Sequence, residues 1–363
     1  MIADQYYMTT FFTVITVLSL IGVLPLLRYR TLEKFPEGNL LVGTILLLII
    51  VTLFIGLRNP FGSWRYYGDT YKYTTIYLNI QRDPLWESGK DFGFYYYMKL
   101  LAKFFSIQTF YLITAILYVF PVYFSFQKWF KKYAFFAVVM YVTSMSFWPF
   151  GINGMRNGLA TSFFIFALAF YNRKWIMYAI IALSISFHTS MLLPTLALII
   201  AQFYKNTKVL LGLWLVSIPI SFLFGKRLLT VINFLVTSSI GLVDDRGDFS
   251  AIDSGVFARS SFRIDFIIYS GIVIYLGYYF IYKYHFKNAF YSKLLNLYII
   301  SNTIWLYFIY FPYTNRVAYL SWFLIPILIV YPIIYANNLK NQSYFMAGAI
   351  FVSLFFVWLL TYL

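Results

Sequence analysis

Long apolar runs, separated by short polar stretches, constrain the fold of this chain more than any single motif does. They predict about twelve transmembrane helices (11–13), at roughly 7–27, 40–57, 107–126, 133–149, 155–171, 175–188, 190–203, 208–224, 265–282, 294–310, 317–336 and 344–363. The sequence HTSMLLP could also be a turn inside one broken or re-entrant segment, which lowers the number. With 61% hydrophobic and 11% charged residues, the chain has too little polar sequence to cover a soluble core. We therefore predict an all-α, polytopic integral membrane helical bundle, with residues 1–363 as a single membrane domain.

Basic residues concentrate in the short loops between alternate runs, and this distribution predicts the orientation. By the positive-inside rule these loops face the cytoplasm, which puts both termini and two long loops, about 58–106 and 225–264, on the outer side. The loops contain Arg28, Arg30, Lys34, Lys128, Lys131, Lys132, Arg173, Lys174, Lys205, Lys208, Lys283, Lys287, Lys293 and Lys340. The net charge of +16 is therefore mainly a topology signal. Since no basic solvated domain is visible, we expect the lipid bilayer and no nucleic acid as a partner.

The outer loops are rich in aromatic residues and in charges of both signs, including Arg58 and Asp69 in the first loop and Arg246 in the second. Aromatic rings can cover the apolar face of a sugar while charged groups bond its hydroxyls, so one interpretation is carbohydrate binding. The other is an ordinary interfacial aromatic belt. Residues 91–105 interleave apolar side chains with lysines, which predicts an amphipathic helix at the outer interface. It could cover a lipid headgroup or serve only as an anchor.

Arg156 and His188 lie at the outer ends of two consecutive apolar runs that a short turn at residues 172–174 connects. At about 1.5 Å per residue they stand roughly 24 and 21 Å from that turn, at similar depth near the outer surface. Helices joined so closely pack as antiparallel neighbours, so the two side chains can approach if they face the same side. Arginine suits a phosphate and histidine suits proton transfer. Taken alone, each could instead be structural, the arginine as an interfacial anchor.

Other residues near these two favour a site over two isolated structural residues. The neighbours of Arg156 in the sequence include Asn153, Gly154 and Asn157. A glycine at the start of a helix lets the backbone approach an anion closely. Arg316, in the motif YFPYTNR with Tyr313, is predicted on the same outer face. The chain has no cysteine, and its other histidine falls in a cytoplasmic turn, so we predict no metal and no cofactor.

The run NGMRNGLATSFFIFALAFYNRKWIMYAIIALSISFHTSMLLP resembles the central region of the EpsG family of bacterial polysaccharide polymerases, which are akin to Wzy. The likeness lies in an Asn-x-x-Arg-polar-x-Leu-Ala segment followed, one helical hairpin later, by a His-Thr/Ser turn. Two flanking features are similar as well: Arg58 followed by GDTYKY with Asp69, and NRVAY with Arg316. Asn157 stands where the family pattern leads us to expect glutamine.

The resemblance implies a GT-C-like membrane glycosyltransferase with an outer-face loop and an interfacial helix. It implies polymerisation of undecaprenyl-diphosphate-linked oligosaccharide repeat units (O-antigen, capsule or exopolysaccharide) on the outer face of the bacterial cytoplasmic membrane. The donor would be the lipid-diphosphate-linked glycan and the acceptor a sugar hydroxyl. The resemblance leaves open whether a protein that regulates glycan chain length is a partner.

The resemblance also implies roles for the candidate residues. Arg156 and Arg316 would hold the donor diphosphate, assisted by Arg58 or Arg246. Either His188 would deprotonate the acceptor hydroxyl or it would complete the phosphate clamp. Asp69 would orient sugar hydroxyls or act as the competing base. The remaining candidate substrate contacts are Asn153, Asn157 and Tyr313.

Two other classes of protein are compatible with a multi-pass membrane fold. One is a flippase or transporter of the same lipid-linked sugars, against which stands the lack of charged residues deep within the predicted spans. The other is a membrane acyltransferase that modifies exported glycans. That reaction needs a path from a cytoplasmic acyl donor, and no suitable cytoplasmic polar residue is evident.

Overall fold

The computed structural model of the protein describes residues 2–83, 91–239, 262–311 and 313–362. In these ranges the chain forms helices and no strand, which confirms the predicted all-α class. The first helices are α1 (Asp4–Val23), α2 (Glu37–Gly56), α3 (Trp64–Tyr67), α4 (Thr70–Arg82), α5 (Phe92–Ala102), α6 (Ile107–Phe130), α7 (Ala134–Val142), α8 (Phe147–Ile152), α9 (Met155–Leu168) and α10 (Lys174–Phe187). They are followed by α11 (Leu192–Phe203), α12 (Thr207–Ser239), α13 (Ile264–Tyr282), α14 (Ala289–Tyr307), α15 (Thr314–Trp322), α16 (Ile325–Tyr335) and α17 (Gln342–Tyr362).

The predicted apolar runs all coincide with helix. Six segments are long and apolar enough to cross a membrane: Asp4–Arg28, Ile107–Val142, Thr207–Arg227, Ile264–Tyr282, Thr314–Tyr335 and Gln342–Leu359. Shorter apolar helices are Leu40–Gly56, Lys174–Phe187 and Thr189–Phe203. These are the apolar helices of the described ranges, and they confirm a polytopic membrane protein.

Two of the predicted runs are broken rather than continuous. Residues 133–149 become α7 and α8, because the intervening hydroxyl side chains bond the preceding backbone: Thr143 donates to Val139 O and Ser144 to Tyr141 O. Residues 317–336 become α15 and α16. The second break lies just before Ile325-Pro326, because Pro326 has no N–H to donate to Trp322 O, where α15 ends.

The two predicted outer loops contain more helix than expected. Residues 58–106 include the short helices α3, α4 and α5. In the loop predicted at 225–264, α12 continues to Ser239, because the apolar sequence LLTVINFLV extends the helix beyond Arg227. The following residues, 240–261, lie outside the described ranges.

The helix predicted at 91–105 is present as α5, and its place at the outer interface stays a prediction. It buries Phe94, Met98 and Leu101 against its neighbours, whereas Phe92, Tyr96, Leu100 and Phe104, spaced four residues apart, are exposed. Its neighbour α4 instead exposes the polar sequence around Lys72 and Thr75. An exposed apolar stripe on a helix suits the boundary between lipid and headgroups.

By internal contacts the chain divides into two compact units. Unit 1 comprises Met1–His188 and Ile333–Leu363, and unit 2 comprises Thr189–Pro332. In unit 1, α9 packs against both α10 and α6, and α2 packs against α6. In unit 2, α14 packs against α12, α11 and α15. The single membrane domain predicted over 1–363 stays a prediction.

Unit 2 contains a buried polar network centred on Asn302 of α14. Its amide nitrogen donates to Ser270 Oγ and to Ser321 Oγ, both at 3.0 Å, and its carbonyl accepts from Trp214 Nε1 at 2.8 Å. Trp322 Nε1 also donates to Ser270 Oγ, at 2.8 Å. The network joins α12, α13, α14 and α15, so one buried amide connects four helices.

Replacing the central amide should weaken unit 2. Asn302→Leu removes the acceptor of a buried indole N–H, and we expect it to lower the free energy of unfolding by about 1–3 kcal/mol. Thermal unfolding in detergent, followed by tryptophan fluorescence, measures the loss. Asn338→Leu, at an exposed asparagine, is the matched control. If the two variants unfolded at the same temperature, the network would not stabilise the fold.

Candidate functional site

The site of unit 1 is built around a break in the chain between α8 and α9. The backbone N–H groups of Asn153 and Gly154 both donate to Pro149 O, at 2.9 and 2.7 Å, which ends α8. Gly154, with φ −100° and ψ 52°, then starts α9. Arg156 therefore lies in the first turn of a new helix, as the sequence predicts.

The turn before α4 is docked on this break. Asn153 Oδ1 accepts from the backbone N–H of Asp69 at 2.9 Å, and Thr70 Oγ1 donates to Ile152 O at 3.1 Å. Gly68 has φ +54°, and a Cβ at this position would lie 2.4 Å from Asn153 Oδ1. Only glycine permits this approach. The turn places Asp69, which is buried, directly beside the break.

Arg156 forms an ion pair with a residue that the sequence analysis does not single out. Its Nη1 lies 2.7 Å from Asp91 Oδ2, and the two side chains are 18% and 5% exposed. Asp91, at φ +56°, immediately precedes α5 but makes no side-chain cap bond to that helix. Its carboxylate contacts the arginine instead. An aspartate before a predicted amphipathic helix is a capping pattern, and this pattern is the signal that could have identified it.

His188 lies at the same level of the helical hairpin as Arg156. Ser184 Oγ of α10 donates to Ala160 O of α9 at 2.6 Å, which fixes the register of the two antiparallel helices. Arg156 is four residues before Ala160 and His188 four residues after Ser184, so both lie about 6 Å further along the same direction. The similar depth predicted from helix arithmetic therefore agrees with the structure.

The start of α5 lies against the end of α10 as well. A Cβ on Gly93 would lie 2.2 Å from Ser186 Oγ, so the two backbones are in close contact. The residues Asp91, Arg156 and His188 thus surround one junction of three helices, α5, α9 and α10. This group of three residues is called the junction below. It combines a cation, a carboxylate and an imidazole that is half-buried.

Arg58 lies beneath the break and is 1% exposed. Its Nη1 donates to Ile55 O at 2.7 Å and to Gly151 O at 3.1 Å, and its Nη2 contacts Met155 Sδ. Burial lowers the pKa of its guanidinium; arginine nevertheless stays protonated in proteins. The structure therefore brings Arg58, Asp69, Asn153 and Arg156 to one end of unit 1.

The remaining predicted residues lie elsewhere. Asn157 follows Arg156 on α9 and is half-buried. Arg316 and Tyr313 lie in unit 2, where Tyr313, at φ +60°, precedes α15 and is exposed. The guanidinium carbon of Arg316 lies 4.9 Å from the centre of the Tyr313 ring. Arg246 lies outside the described residues. Within the described ranges no three His, Asp or Glu side chains are grouped so that they could hold a metal ion.

The junction can bind an anion and can move a proton. A guanidinium presents several donors in one plane, so an oxyanion can replace or share a carboxylate partner. An imidazole can accept a proton at neutral pH. Both groups lie at helix ends, where the backbones of α5 and α10 are in close contact.

Comparison with known proteins gives one match. A model of the EpsG family matches residues 40–363, which is most of the chain. No curated protein matches the chain, and neither does any solved structure.

The ion pair of the junction should contribute measurably to stability. In a double-mutant cycle with Asp91→Ala and Arg156→Ala, we expect a coupling free energy of about 1–3 kcal/mol, because the pair is largely shielded from water. The exposed pair Lys132 and Glu37, 2.7 Å apart, is the control and should give a much smaller coupling, because water screens its charges. Thermal unfolding of the four variants in each cycle measures both. Additive losses at Asp91 and Arg156 would contradict the ion pair.

Proposed function

Since the chain belongs to the EpsG family of Wzy-like polysaccharide polymerases, we propose that it polymerises oligosaccharide repeat units carried on undecaprenyl diphosphate. The donor is the glycan on its lipid diphosphate, and the acceptor is a sugar hydroxyl of another repeat unit. The proposed reaction takes place at the outer face of the bacterial cytoplasmic membrane. Nucleotide sugars are absent there, so the lipid diphosphate supplies the leaving group.

The observation that carries this proposal is the junction of Asp91, Arg156 and His188. A glycosyl transfer from a diphosphate needs a cation for the leaving group and a base for the acceptor. Arg156 and His188 supply these two functions at the same level of one helical hairpin. Asp91 holds the guanidinium in place before the substrate binds.

The proposed reaction is a glycosyl transfer. The acceptor oxygen attacks the anomeric carbon of the donor and forms the new glycosidic bond, while the bond between that carbon and the diphosphate oxygen breaks. His188 takes the proton of the acceptor hydroxyl. Arg156 stabilises the negative charge that develops on the departing lipid diphosphate.

Asp69 and Asn153 are proposed as sugar contacts at the edge of this site. The bond between the Asp69 backbone and Asn153 holds the two residues together at the break. A carboxylate there can accept from sugar hydroxyls, and it is also the competing candidate for the base. The other predicted substrate contacts stay predictions: Asn157 on α9, Arg316 and Tyr313 in unit 2, and Arg246.

Purified protein supplied only with lipid-linked repeat units should produce a ladder of glycan products. We expect Arg156→Ala to reduce the initial rate about 10²–10³-fold, because the leaving group loses its cation. His188→Ala should reduce it about 10²–10⁴-fold through the loss of a general base. Arg65→Ala removes an exposed cation from the α3 segment and should leave the rate unchanged.

This assay distinguishes a polymerase from a flippase and from an acyltransferase. A flippase moves the lipid-linked unit without forming a longer glycan, and an acyltransferase requires an acyl donor that the mixture lacks. If the unaltered protein yielded no ladder, polymerisation by this chain would be wrong. Wild-type rates for Arg156→Ala would remove the junction from the mechanism even if the ladder formed.

The proposed outer face can be tested because the chain has no cysteine. A Cβ at Gly154 meets its nearest atom, in the Phe150 ring, at 3.5 Å, and one at Gly38 meets nothing within 4 Å, so both positions tolerate a thiol. In intact cells a membrane-impermeant maleimide should label Gly154→Cys. It should label Gly38→Cys only after permeabilisation. The reverse pattern would place the junction on the cytoplasmic side.

A further inference from the structure

Arg58 is a fully buried cation whose guanidinium contacts backbone carbonyls, a methionine sulfur and an aromatic ring. Its guanidinium donates to Ile55 O, in the last turn of α2, and to Gly151 O, in the last turn of α8. The carboxyl ends of helices carry partial negative charge, so both acceptors favour a cation. The Tyr111 ring adds a third contact, with its centre 4.1 Å from the guanidinium carbon.

The contacts of Arg58 lie on both sides of the break. Gly151 precedes it and Met155 follows it, and the guanidinium contacts both residues. Asn153, which binds the Asp69 backbone, lies between these two contacts. Arg156 is the next residue after Met155. A single side chain therefore fixes the path of the chain into the first turn of α9.

The same arginine is connected to the turn that carries Asp69. The Tyr111 hydroxyl donates to Thr70 O at 2.8 Å and bonds Thr74 Oγ1 at 2.8 Å. Thr70 itself donates to Ile152 O. Tyr111 thus lies between the guanidinium and the start of α4, and both halves of the site rest on Arg58.

We propose that Arg58 is a positioning residue of the polymerase, which holds Arg156 and Asp69 in register without contacting the substrate. The inference rests on the proposed function. It differs from the diphosphate contact that the sequence resemblance implies for Arg58, because the guanidinium already donates to backbone carbonyls and is shielded from solvent. Holding helices together with a buried charge costs desolvation free energy, and an apolar side chain of similar volume would avoid that cost.

A double-mutant cycle in the polymerisation assay distinguishes positioning from direct contact. Arg58→Met should reduce kcat about 10- to 100-fold in the unaltered protein with little change in KM. In the Arg156→Ala background the same replacement should reduce the rate less than about 3-fold, because its effect acts through Arg156. Arg58→Lys keeps the charge and one carbonyl contact, so it should recover part of kcat. Arg65→Met is the matched control for loss of a cation.

The second measurement does not depend on polymerisation. In protein carrying Gly154→Cys, a water-soluble maleimide reports on the backbone at the break. Arg58→Met should raise the labelling rate at least about fivefold, since the local structure opens more often. The labelling rate of Gly38→Cys, at an exposed position, should not change. Arg58→Lys replaces Arg58→Met in both experiments if the methionine variant does not unfold cooperatively in a thermal melt.

The outcomes separate the two proposals. An unchanged labelling rate at Gly154→Cys overturns the positioning role, whatever the activity of the protein. Effects of Arg58→Met and Arg156→Ala that multiply in full overturn it as well, because they indicate independent contacts with the substrate. If labelling rises but the unaltered protein forms no glycan ladder, Arg58 does hold the break and the proposed reaction is wrong.

Discussion

Every backbone carbonyl that loses its helical partner inside a membrane must be bonded by the protein itself, and this constraint shapes the whole chain. Pro121 in α6 cannot bond Leu117 O, and Ser162 of α9 donates to that carbonyl at 3.3 Å. Pro332 in α16 likewise leaves Leu328 O, to which the Tyr291 hydroxyl donates at 2.9 Å. At both of these prolines a polar side chain from a neighbouring helix therefore bonds the carbonyl that the helix leaves.

The break between α8 and α9 follows the same rule, and this explains why polar groups collect there. Gly151 O and Ile152 O, at the end of α8, accept from Arg58 and from Thr70. Non-helical backbone within a membrane is stable only where protein surrounds it or where it lines a polar cavity. The side chains that satisfy the break therefore also hold Arg156, the first basic residue of α9, at a defined position.

The fold was largely predictable because the length and spacing of apolar runs determine spanning helices. The level of Arg156 relative to His188 was predictable for the same reason, since a short turn sets the register of two antiparallel helices. Two interactions were not predictable. Asp91 bonds Arg156 although the two are 65 positions apart in the sequence, and no periodic pattern predicts such a pair. The burial of Arg58 depends on carbonyls of α8 that lack helical partners because the helix breaks there. Short-range patterns describe the helices, whereas the site depends on where helices end.

Arg58 and Arg156 differ in burial and in what balances their charge, and their proposed roles follow from that difference. Arg58 is held by backbone carbonyls and a ring face, which cannot leave without opening α2 and α8. Arg156 is paired with the carboxylate of Asp91, which immediately precedes α5 and makes no side-chain cap bond to that helix. A phosphate oxygen that replaces Asp91 restores the same charge-assisted bonds, so the guanidinium is never left desolvated and unpaired. In the proposed reaction an anionic substrate exchanges with Asp91 at Arg156, and in its proposed positioning role Arg58 keeps the helix ends fixed during the exchange.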